Sequence, residues 1–219
     1  MSTLVSGFFA AIRTGDLAAI KTALGADPAL AAKRNEQGLS PVMWACYLRQ
    51  SAALALLRAA NPPLDLFEAI ASGDDALAAA LLAAQPALAD AWSADGFTAL
   101  HLAAYFGRPA PATLLLAAGA DPSAESRNPM RVTPLHSAAS AGQLEIARAL
   151  LAAGAPPDAR QQGGYTPLMA AAQNGDEPLV ELLLLHRADP ALRTEEGQCA
   201  SGFAEEKGHT ALAAKLRPR

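Results

Sequence analysis

A short motif recurs along the chain at a nearly constant spacing, and no other feature constrains the fold as strongly. In the copy at residues 133–155, Thr133 and Pro134 begin a first helix, Gly142 ends it, and a second helix with an apolar stripe ends at Gly154. Threonine is a favourable N-cap, proline suits the first helical turn, and glycine accepts the left-handed conformation that ends many helices. Equivalent copies start at residues 6, 40, 64, 98, 133, 166 and 199, which gives steps of 34, 24, 34, 35, 33 and 33 residues. A helix pair this short cannot bury its apolar stripe alone, so the spacing predicts a stack of about seven pairs.

Three of these copies resemble ankyrin repeats in their opening residues. They read Thr98-Ala99-Leu100-His101, Thr133-Pro134-Leu135-His136 and Thr166-Pro167-Leu168-Met169, and helix endings such as Gly119-Ala120-Asp121-Pro122 add to the likeness. The resemblance extends over nearly the whole chain, and segments 65–69, 127–129 and 161–164 are similar to those of single-domain bacterial ankyrin repeat proteins without an assigned activity. It implies an all-α fold: an ankyrin-type α-solenoid of about seven helix-turn-helix repeats with short, hairpin-like finger loops.

The repeat register predicts one domain over residues 1–219. The approximate repeats are 1–37 (an N-terminal cap), 38–62, 63–95, 96–130, 131–163, 164–196 and 197–219 (a C-terminal cap). The step of 24 residues between the second and third copies is shorter than the others by the length of a finger. We therefore expect one finger to be missing between repeats 2 and 3, with a gap in the row of fingers at that point.

Charge and composition argue against several classes of partner. The 17 basic and 21 acidic residues give a net charge of −4, which provides no field to hold a phosphate backbone or an anionic bilayer. No apolar run reaches the roughly 18 residues of a membrane span. The apolar segment 4–12 follows no Lys or Arg, so it is interpreted as a capping helix rather than a signal peptide. Cys46 and Cys199 lie several repeats apart, too far for a disulfide in a solenoid. We expect a cytoplasmic monomer that binds neither nucleic acid nor membranes.

The sequence has no recognisable catalytic or metal-binding motif. It lacks a phosphate loop, a dinucleotide fingerprint and a nucleophile elbow. His101 and His136 occupy the same motif position without further ligands at metal spacing, and the resemblance implies that they hydrogen-bond backbone groups and tie repeats together. Cys46 stands where the pattern calls for a small core residue. The prediction is a protein that is not an enzyme and uses no cofactor or metal, with Thr98, Thr133 and Thr166 as repeat-opening residues of the scaffold.

The positions left for function are those that the repeat pattern does not dictate. In an ankyrin-type array these are the finger tips and the two residues before the glycine that ends each first helix, which together line the concave face. Exposed aromatic residues with Arg and Met around them are typical of interaction hot spots. The candidate partner-binding residues are Tyr47, Trp92, Tyr105, Phe106, Arg127, Met130, Arg160, Tyr165, Gln173 and Asn174.

Three functional hypotheses remain at this point. The favoured one is a non-enzymatic interaction module that binds another protein on its concave face, through a patch from Trp92 through Tyr105 and Phe106 to Arg127 and Met130. The alternative is a regulatory, inhibitory or immunity-type subunit that blocks an enzyme with the long finger loop 125–131. A third, a hydrolase or redox enzyme acting through Cys46, requires a histidine within hydrogen-bond reach of that thiol.

Overall fold

The computed structural model describes residues 3–217, and this part of the chain folds into seven consecutive pairs of α-helices. The pairs are α1 (Thr3–Thr14) with α2 (Leu17–Ala26), α3 (Pro41–Tyr47) with α4 (Ser51–Ala59), α5 (Leu66–Ser72) with α6 (Asp75–Ala84), α7 (Ala99–Tyr105) with α8 (Pro109–Ala117), α9 (Pro134–Ser140) with α10 (Leu144–Ala152), α11 (Pro167–Asn174) with α12 (Glu177–Leu185), and α13 (Ala200–Glu206) with α14 (Thr210–Leu216). The first helices of successive pairs contact one another from α1 to α13. The prediction of an all-α solenoid is confirmed.

Irregular elements between the helices are short. Three 3-10 segments span Pro28–Ala32, Pro86–Asp90 and Gln162–Gly164. Extended pairing among residues 3–217 is limited to two isolated bridges, Trp92 with Thr98 and Arg193 with Cys199. The outermost residues of the first and last predicted repeats, 1–2 and 218–219, lie outside the described range, and the exact repeat boundaries stay a prediction.

Each first helix ends in a tight turn that needs a left-handed residue. Gly107 ends α7 with φ +66°, and a Cβ atom placed there would lie 2.8 Å from the Gln143 side chain of the next pair. Glycine therefore satisfies both the backbone conformation and the close approach. After α3 the same position holds Arg49, which adopts φ 54° although it is not glycine. The turn after α3 therefore keeps the conformation of the other turns, although its backbone is strained.

Finger loops project from the start of most first helices. We name them finger A (33–40), B (91–98), C (125–133), D (159–166) and E (193–199). Fingers B to E form one ladder of backbone hydrogen bonds: Arg127 N donates to Gly96 O (2.8 Å), Gln162 N to Met130 O (3.0 Å) and Glu195 N to Gly163 O (2.8 Å). Each of these fingers is thus fixed by its neighbour.

The connection between α4 and α5 carries no finger. Residues 60–65 join the two helices, and Asp65 caps α5 in a reciprocal capping box with Glu68. The repeat spacing predicted that this repeat starts at Leu64, which is wrong by one residue. The helix is capped by Asp65, because a carboxylate can accept hydrogen bonds from backbone N–H groups and a leucine side chain cannot.

The expected gap in the row of fingers is closed. A Cβ atom on Gly38 of finger A would lie 2.9 Å from Cβ of Ala94 in finger B, so these tips touch across the third pair. The prediction of a gap was therefore wrong for the tips of fingers A and B, which meet across the helix pair that has no finger of its own.

An ion pair replaces the absent finger as a link. Arg34 of finger A donates to Asp65 Oδ2 (3.0 Å) and Glu68 Oε1 (3.2 Å), and its other terminal nitrogen donates to Gly38 O (2.9 Å). The Glu68 side chain is only 4% exposed, whereas that of Arg34 is about half exposed. Finger A is therefore anchored to α5 by side chains rather than by backbone.

The hydrophobic core runs along the first helices of successive pairs. Leu100, Leu135 and Leu168 occupy equivalent positions on α7, α9 and α11 and are fully buried, with alanines around them. Small residues let successive first helices approach closely, and leucine fills the space between them. None of the helices in the described part of the chain is long and apolar enough to cross a membrane.

Candidate functional site

An apolar cavity of about 290 Å³ opens on the inner face, the surface formed by the first helices and the fingers. Its walls are aromatic and aliphatic side chains from α3, α7 and fingers B and C: Tyr47, Phe97, Tyr105, Met130 and Val132. The base and rim come from α7, α9 and finger D: His101, Leu102, His136, Ser137, Ser140 and Gln161. We call this site the central cavity.

An aromatic cluster forms one wall of the central cavity. The ring of Tyr47 lies 6.3 Å from that of Tyr105 and 5.5 Å from that of Phe106, although α5 lies between their helices in the stack. At the equivalent end of α5 stand two small residues, Ala71, which is buried, and Ser72. Tyr47 therefore reaches over the third pair and joins the second pair to the fourth.

The hydroxyl group of Tyr47 is fixed as well. It donates to Asp95 Oδ2 at 2.6 Å. Burial of the ring, followed by the hydrogen bond to Asp95, raises the pKa of Tyr47 well above its ordinary value. The phenol stays neutral and acts as a donor that ties α3 to finger B.

Two side chains at the mouth of the central cavity remain exposed. Tyr105 is 39% exposed and Met130 is 51% exposed. Among residues 3–217, no hydrogen-bond partner for the Tyr105 hydroxyl is found within range. Phe106 is half-buried and packs its edge on Tyr105, with ring centroids 5.1 Å apart. The mouth thus presents an aromatic ring, a polar hydroxyl and a flexible thioether.

The histidines at the base of the central cavity use both ring nitrogens. His101 Nδ1 accepts from Thr98 N (3.2 Å), and its Nε2 donates to Val132 O (2.9 Å) in finger C. His136 repeats this arrangement with Thr133 N (3.2 Å) and Tyr165 O (3.1 Å) in finger D. Each histidine thereby links its own repeat to the following finger.

Burial lowers the pKa of both His101 and His136 to about 4. The rings are therefore neutral at pH 7, and neither has a nitrogen left for proton transfer or for a metal. At the equivalent place in α11, Thr166 and Met169 exchange contacts of 3.4 Å, and within the described part of the chain the Met169 side chain makes no hydrogen bond to the next finger.

Family models identify the helices that build this site. A model described as ankyrin repeats (3 copies) matches residues 123–194, and one described as ankyrin repeat matches residues 95–127. The chain contains ankyrin repeats over residues 95–194. Ankyrin repeats are protein–protein interaction modules, typically non-enzymatic scaffolds, and the matched segments include α7 to α12 and the base of the central cavity.

A curated relative shares part of this ankyrin array. The human (Homo sapiens) Espin-like protein is 43% identical over 58 residues. The match covers 26% of this chain and 6% of the length of the human protein. The likeness therefore concerns a short run of repeats and not the human protein as a whole.

Neither Trp92 nor Arg127 is among the residues that line the central cavity, although the Trp92 ring lies 6.4 Å from the ring of His101. The Arg127 guanidinium stacks over the Trp92 ring, 4.1 Å from its centroid. Trp92 lines a second cavity of about 280 Å³, between finger A, finger B and the start of α5, together with Leu39, Met43 and Phe67. The predicted patch from Trp92 to Met130 is therefore divided between two cavities.

The polar groups of the remaining predicted residues form hydrogen bonds within the ankyrin array. Tyr165 donates to Gln173 Oε1 (2.7 Å), and burial raises the pKa of Tyr165 to about 12. Asn174 Nδ2 donates to the carbonyl groups of Ala139 (3.3 Å) and Ser140 (3.2 Å) at the end of α9. Arg160 donates to a carbonyl group of finger E, that of Arg193 (2.6 Å).

Besides the two histidines, the list of candidate residues omitted six that line the central cavity: Phe97, Leu102, Val132, Ser137, Ser140 and Gln161. Of these, Leu102 and Ser137 stand three residues before Tyr105 and Ser140, respectively. Residues three apart on a helix share a face. Extending the chosen positions by one turn along each first helix would have found both.

Cys46 lacks the features of a nucleophile. Its side chain is buried, and burial raises its pKa to about 12 despite the nearby positive charges of Arg108 and Arg58. No histidine within hydrogen-bond reach of Cys46 is found in residues 3–217, so the condition set for the third hypothesis is not met. Both cysteines are free thiols. Within the same range, no group of three or more potential metal-ligating side chains converges.

Proposed function

We propose that this ankyrin array is a non-enzymatic module that binds another protein on its concave inner face, with the central cavity receiving an anchor side chain. The observation that carries the proposal is the exposure of Tyr105 and Met130 at the mouth of an otherwise apolar cavity. Aromatic and methionine side chains in such a place are characteristic of binding hot spots.

The rigidity of the site supports this function. Fingers B, C and D are joined by backbone hydrogen bonds, and Tyr47 is held by Asp95. A surface that is already ordered loses little conformational entropy when a partner binds. Little of the binding free energy is therefore lost in ordering the finger loops.

The size of the central cavity suits a single large side chain. Pockets for drug-sized ligands and cofactors usually measure about 300–1,000 Å³, and this one measures about 290 Å³. One large apolar or aromatic side chain fills such a volume, and the remainder of the partner would lie along the fingers.

A pair of matched double variants tests the proposal. Tyr105→Ser with Met130→Ser removes the mouth of the cavity, whereas Leu114→Ser with Leu185→Ser removes two exposed side chains of the outer helices α8 and α12. We expect both variants to melt like the wild type, because all four side chains are exposed. Proteins that the wild type retains from a lysate, quantified by mass spectrometry, should be lost with the first variant and kept with the second. Equal retention by the wild type and the first variant would contradict the proposal.

The second candidate is a regulatory, inhibitory or immunity-type subunit that blocks an enzyme with finger C. The exposed Met130 and the ion pair between Arg131 and Glu125 (2.7 Å) shape the tip of this finger. Arg127→Ala with Met130→Ala keeps the backbone of the ladder and changes only this tip. Restored activity of a captured enzyme on adding this variant in place of the wild type would favour the inhibitory role.

We place the protein in the cytoplasm as a monomer, with neither nucleic acid nor a membrane as its partner. Two free thiols suit a reducing compartment. The net charge of −4 gives no general attraction to phosphate groups.

A further inference from the structure

The finger loops share one pattern of backbone hydrogen bonds. In finger E, Thr194 N donates to Gln198 O across the finger. The next N–H group along the chain, that of Glu195, donates to Gly163 O of the preceding finger. In fingers C and D, too, the residue after the start of the cross-finger bond is the donor to the preceding finger. This position therefore identifies the donor edge of every finger.

Fingers A and B leave this donor unpaired. Their cross-finger bonds start at Asn35 and at Ser93, so the equivalent donors are the residues that follow. These are Glu36 and Ala94, and in the described part of the chain neither N–H group has an acceptor. Ala94 lies against Gly38 of finger A, which leaves it little room. By the geometry of the other fingers, the N–H group of Glu36 faces the N-terminal side of finger A, which is open.

The acceptor edges of the row are satisfied, by contrast. Gly96 O of finger B accepts from the finger that follows it. In finger A the carbonyl group at this position, Gly38 O, accepts from Arg34 Nη1 at 2.9 Å. In finger E it is Gly197 O, which accepts from Arg193 Nη1 at 2.7 Å. An arginine of the same finger thus closes the C-terminal end of the row, whereas the N-terminal end offers a free donor.

A cavity of about 340 Å³ lies beside the open edge of finger A. We call it the N-terminal cavity. Phe9 of α1 and Trp44 of α3 form its aromatic part, with ring centroids 6.4 Å apart. Arg13 and Glu36 also line it, so one positive and one negative side chain balance. Its chemistry is therefore that of an aromatic, hydrogen-bonding site without a net charge.

The indole N–H group of Trp44 is a second donor without an acceptor. Its nitrogen is buried, and the described part of the chain provides no hydrogen-bond partner for it. A buried donor that lacks an acceptor is unfavourable, so an acceptor that reaches it from the cavity would relieve this cost. The two unmatched N–H groups, those of Glu36 and Trp44, both call for an acceptor.

We propose that the N-terminal cavity binds an extended, proline-containing segment of a partner protein. One backbone carbonyl group of the segment accepts from Glu36 N, as the carbonyl groups of fingers B to D accept from their neighbours, and another accepts from the Trp44 indole. Proline suits this place because it has no N–H group, and the site requires none. Its ring packs on aromatic side chains, and its extended backbone is largely ordered before binding. The site is separate from the central cavity and does not depend on it.

Peptides selected on the full chain from a linear library with one fixed proline are the probes, and fluorescence anisotropy gives their affinities. Glu36→Pro removes the free N–H group. It places proline at the second position of the turn formed by residues 35–38, which proline favours, so the finger keeps its fold. Glu36→Gln keeps the N–H group and changes only the charge. Ala94→Pro makes the same backbone change in finger B and is the matched control.

We expect Glu36→Pro to weaken peptide binding about three- to ten-fold, the effect of one hydrogen bond, and the other two variants to bind like the wild type. Trp44→Phe keeps an aromatic ring beside Phe9 and should weaken binding by a similar factor. The chain has two tryptophans and so gives two indole N–H signals in a nitrogen-15 spectrum. The signal of Trp44 should shift when peptide is added, and that of Trp92 should stay in place.

Contrary outcomes separate this inference from the proposed function. Peptides that bind Glu36→Pro and Trp44→Phe as tightly as the wild type would overturn the inference, and so would a library that yields no binder. If Tyr105→Ser with Met130→Ser abolished the binding of such peptides, their site would be the central cavity and the proposed function would stand. A loss caused by Ala94→Pro instead of Glu36→Pro would place the segment at finger B and would also overturn the inference.

Discussion

The two ends of the array hold their fingers in different ways. In residues 91–217 every helix pair has a finger, and fingers B to E are joined by backbone hydrogen bonds. In residues 3–90 there is one finger for three helix pairs, and side chains fix it: Arg34 bonds to Asp65 and Glu68. Backbone ladders depend little on which side chains are present, whereas ion pairs depend on charge, salt and burial. We infer that the C-terminal region, which we call the platform, is the more rigid of the two and that the N-terminal region is more adjustable.

The central cavity belongs almost entirely to the platform. Of its lining side chains only Tyr47 comes from the N-terminal region, and it reaches over the third pair to do so. A change in how the two regions meet would therefore act on the cavity through Tyr47.

The largest expected difference between the regions is in their response to acid. All four histidines of the chain, at 101, 136, 186 and 209, lie in the C-terminal region. Burial lowers the pKa of His101 and His136 to about 4 in the folded array, compared with about 6.5 in an unfolded chain. Below pH 6.5 the unfolded chain takes up protons that the folded array refuses until about pH 4. Their contribution to stability is complete above pH 6.5 and is lost as the pH falls toward 4.

At pH 5 this loss amounts to about 2 kcal/mol for each histidine. Native-state hydrogen exchange at pH 7 and pH 5, corrected for intrinsic rates, should show the free energy of opening falling most in α7 and α9 and least in α1 to α4. The control is His101→Gln with His136→Gln, which keeps a donor and an acceptor but does not titrate. An equal loss in that variant would show that other groups cause the acid response.

A smaller effect concerns the link that replaces the absent finger. Arg34→Met leaves the buried Glu68 carboxylate with only the N–H group of Asp65. We expect a loss of about 1–2 kcal/mol, because a buried charge left without its partner costs more than an exposed pair contributes. The matched change is Arg131→Met, which breaks the exposed pair with Glu125 in the C-terminal region and should cost under about 0.5 kcal/mol. Urea unfolding gives both values, and equal losses would remove the distinction between the two kinds of link.

The smallest expected effect is in the turns that end the first helices. Arg49→Gly removes the backbone strain of a non-glycine residue at φ 54° in the N-terminal region. It should stabilise the array by about 0.5–1 kcal/mol. Gly107→Ala introduces strain at φ +66° in the C-terminal region and should destabilise it by about 1 kcal/mol. Thermal unfolding compares the two variants. A stabilising Gly107→Ala would mean that this turn is not under the backbone constraint inferred from it.

Local rules in the sequence predicted much of the fold. The residues that end the first helices, among them Gly107 and Arg49, are left-handed at the expected register. What escaped prediction depends on groups far apart in the chain. The contact of Gly38 with Ala94 and the reach of Tyr47 to Phe106 both cross the third helix pair, and a repeat period carries no information on how far neighbouring elements lean.

The candidate site was predicted only in part for the same reason. Tyr47, Tyr105 and Met130 do meet in one cavity, because helical and finger positions set which face they share. Trp92 lines a different cavity, because its ring packs beside residues of finger A and of the start of α5. The internal bonds of Gln173 and Asn174 follow from partners in finger D and α9. None of these depends on spacing alone.

Backbone amide chemical shifts, recorded while a partner protein captured from a lysate is titrated into the labelled array, test most directly whether the inner face of the platform is the binding surface. Binding there should move the resonances of α7, α9 and fingers B to D, with the largest changes at Tyr105, Met130 and Gln161. Changes centred on the outer helices α8, α10 and α12, with those three residues unmoved, would contradict it.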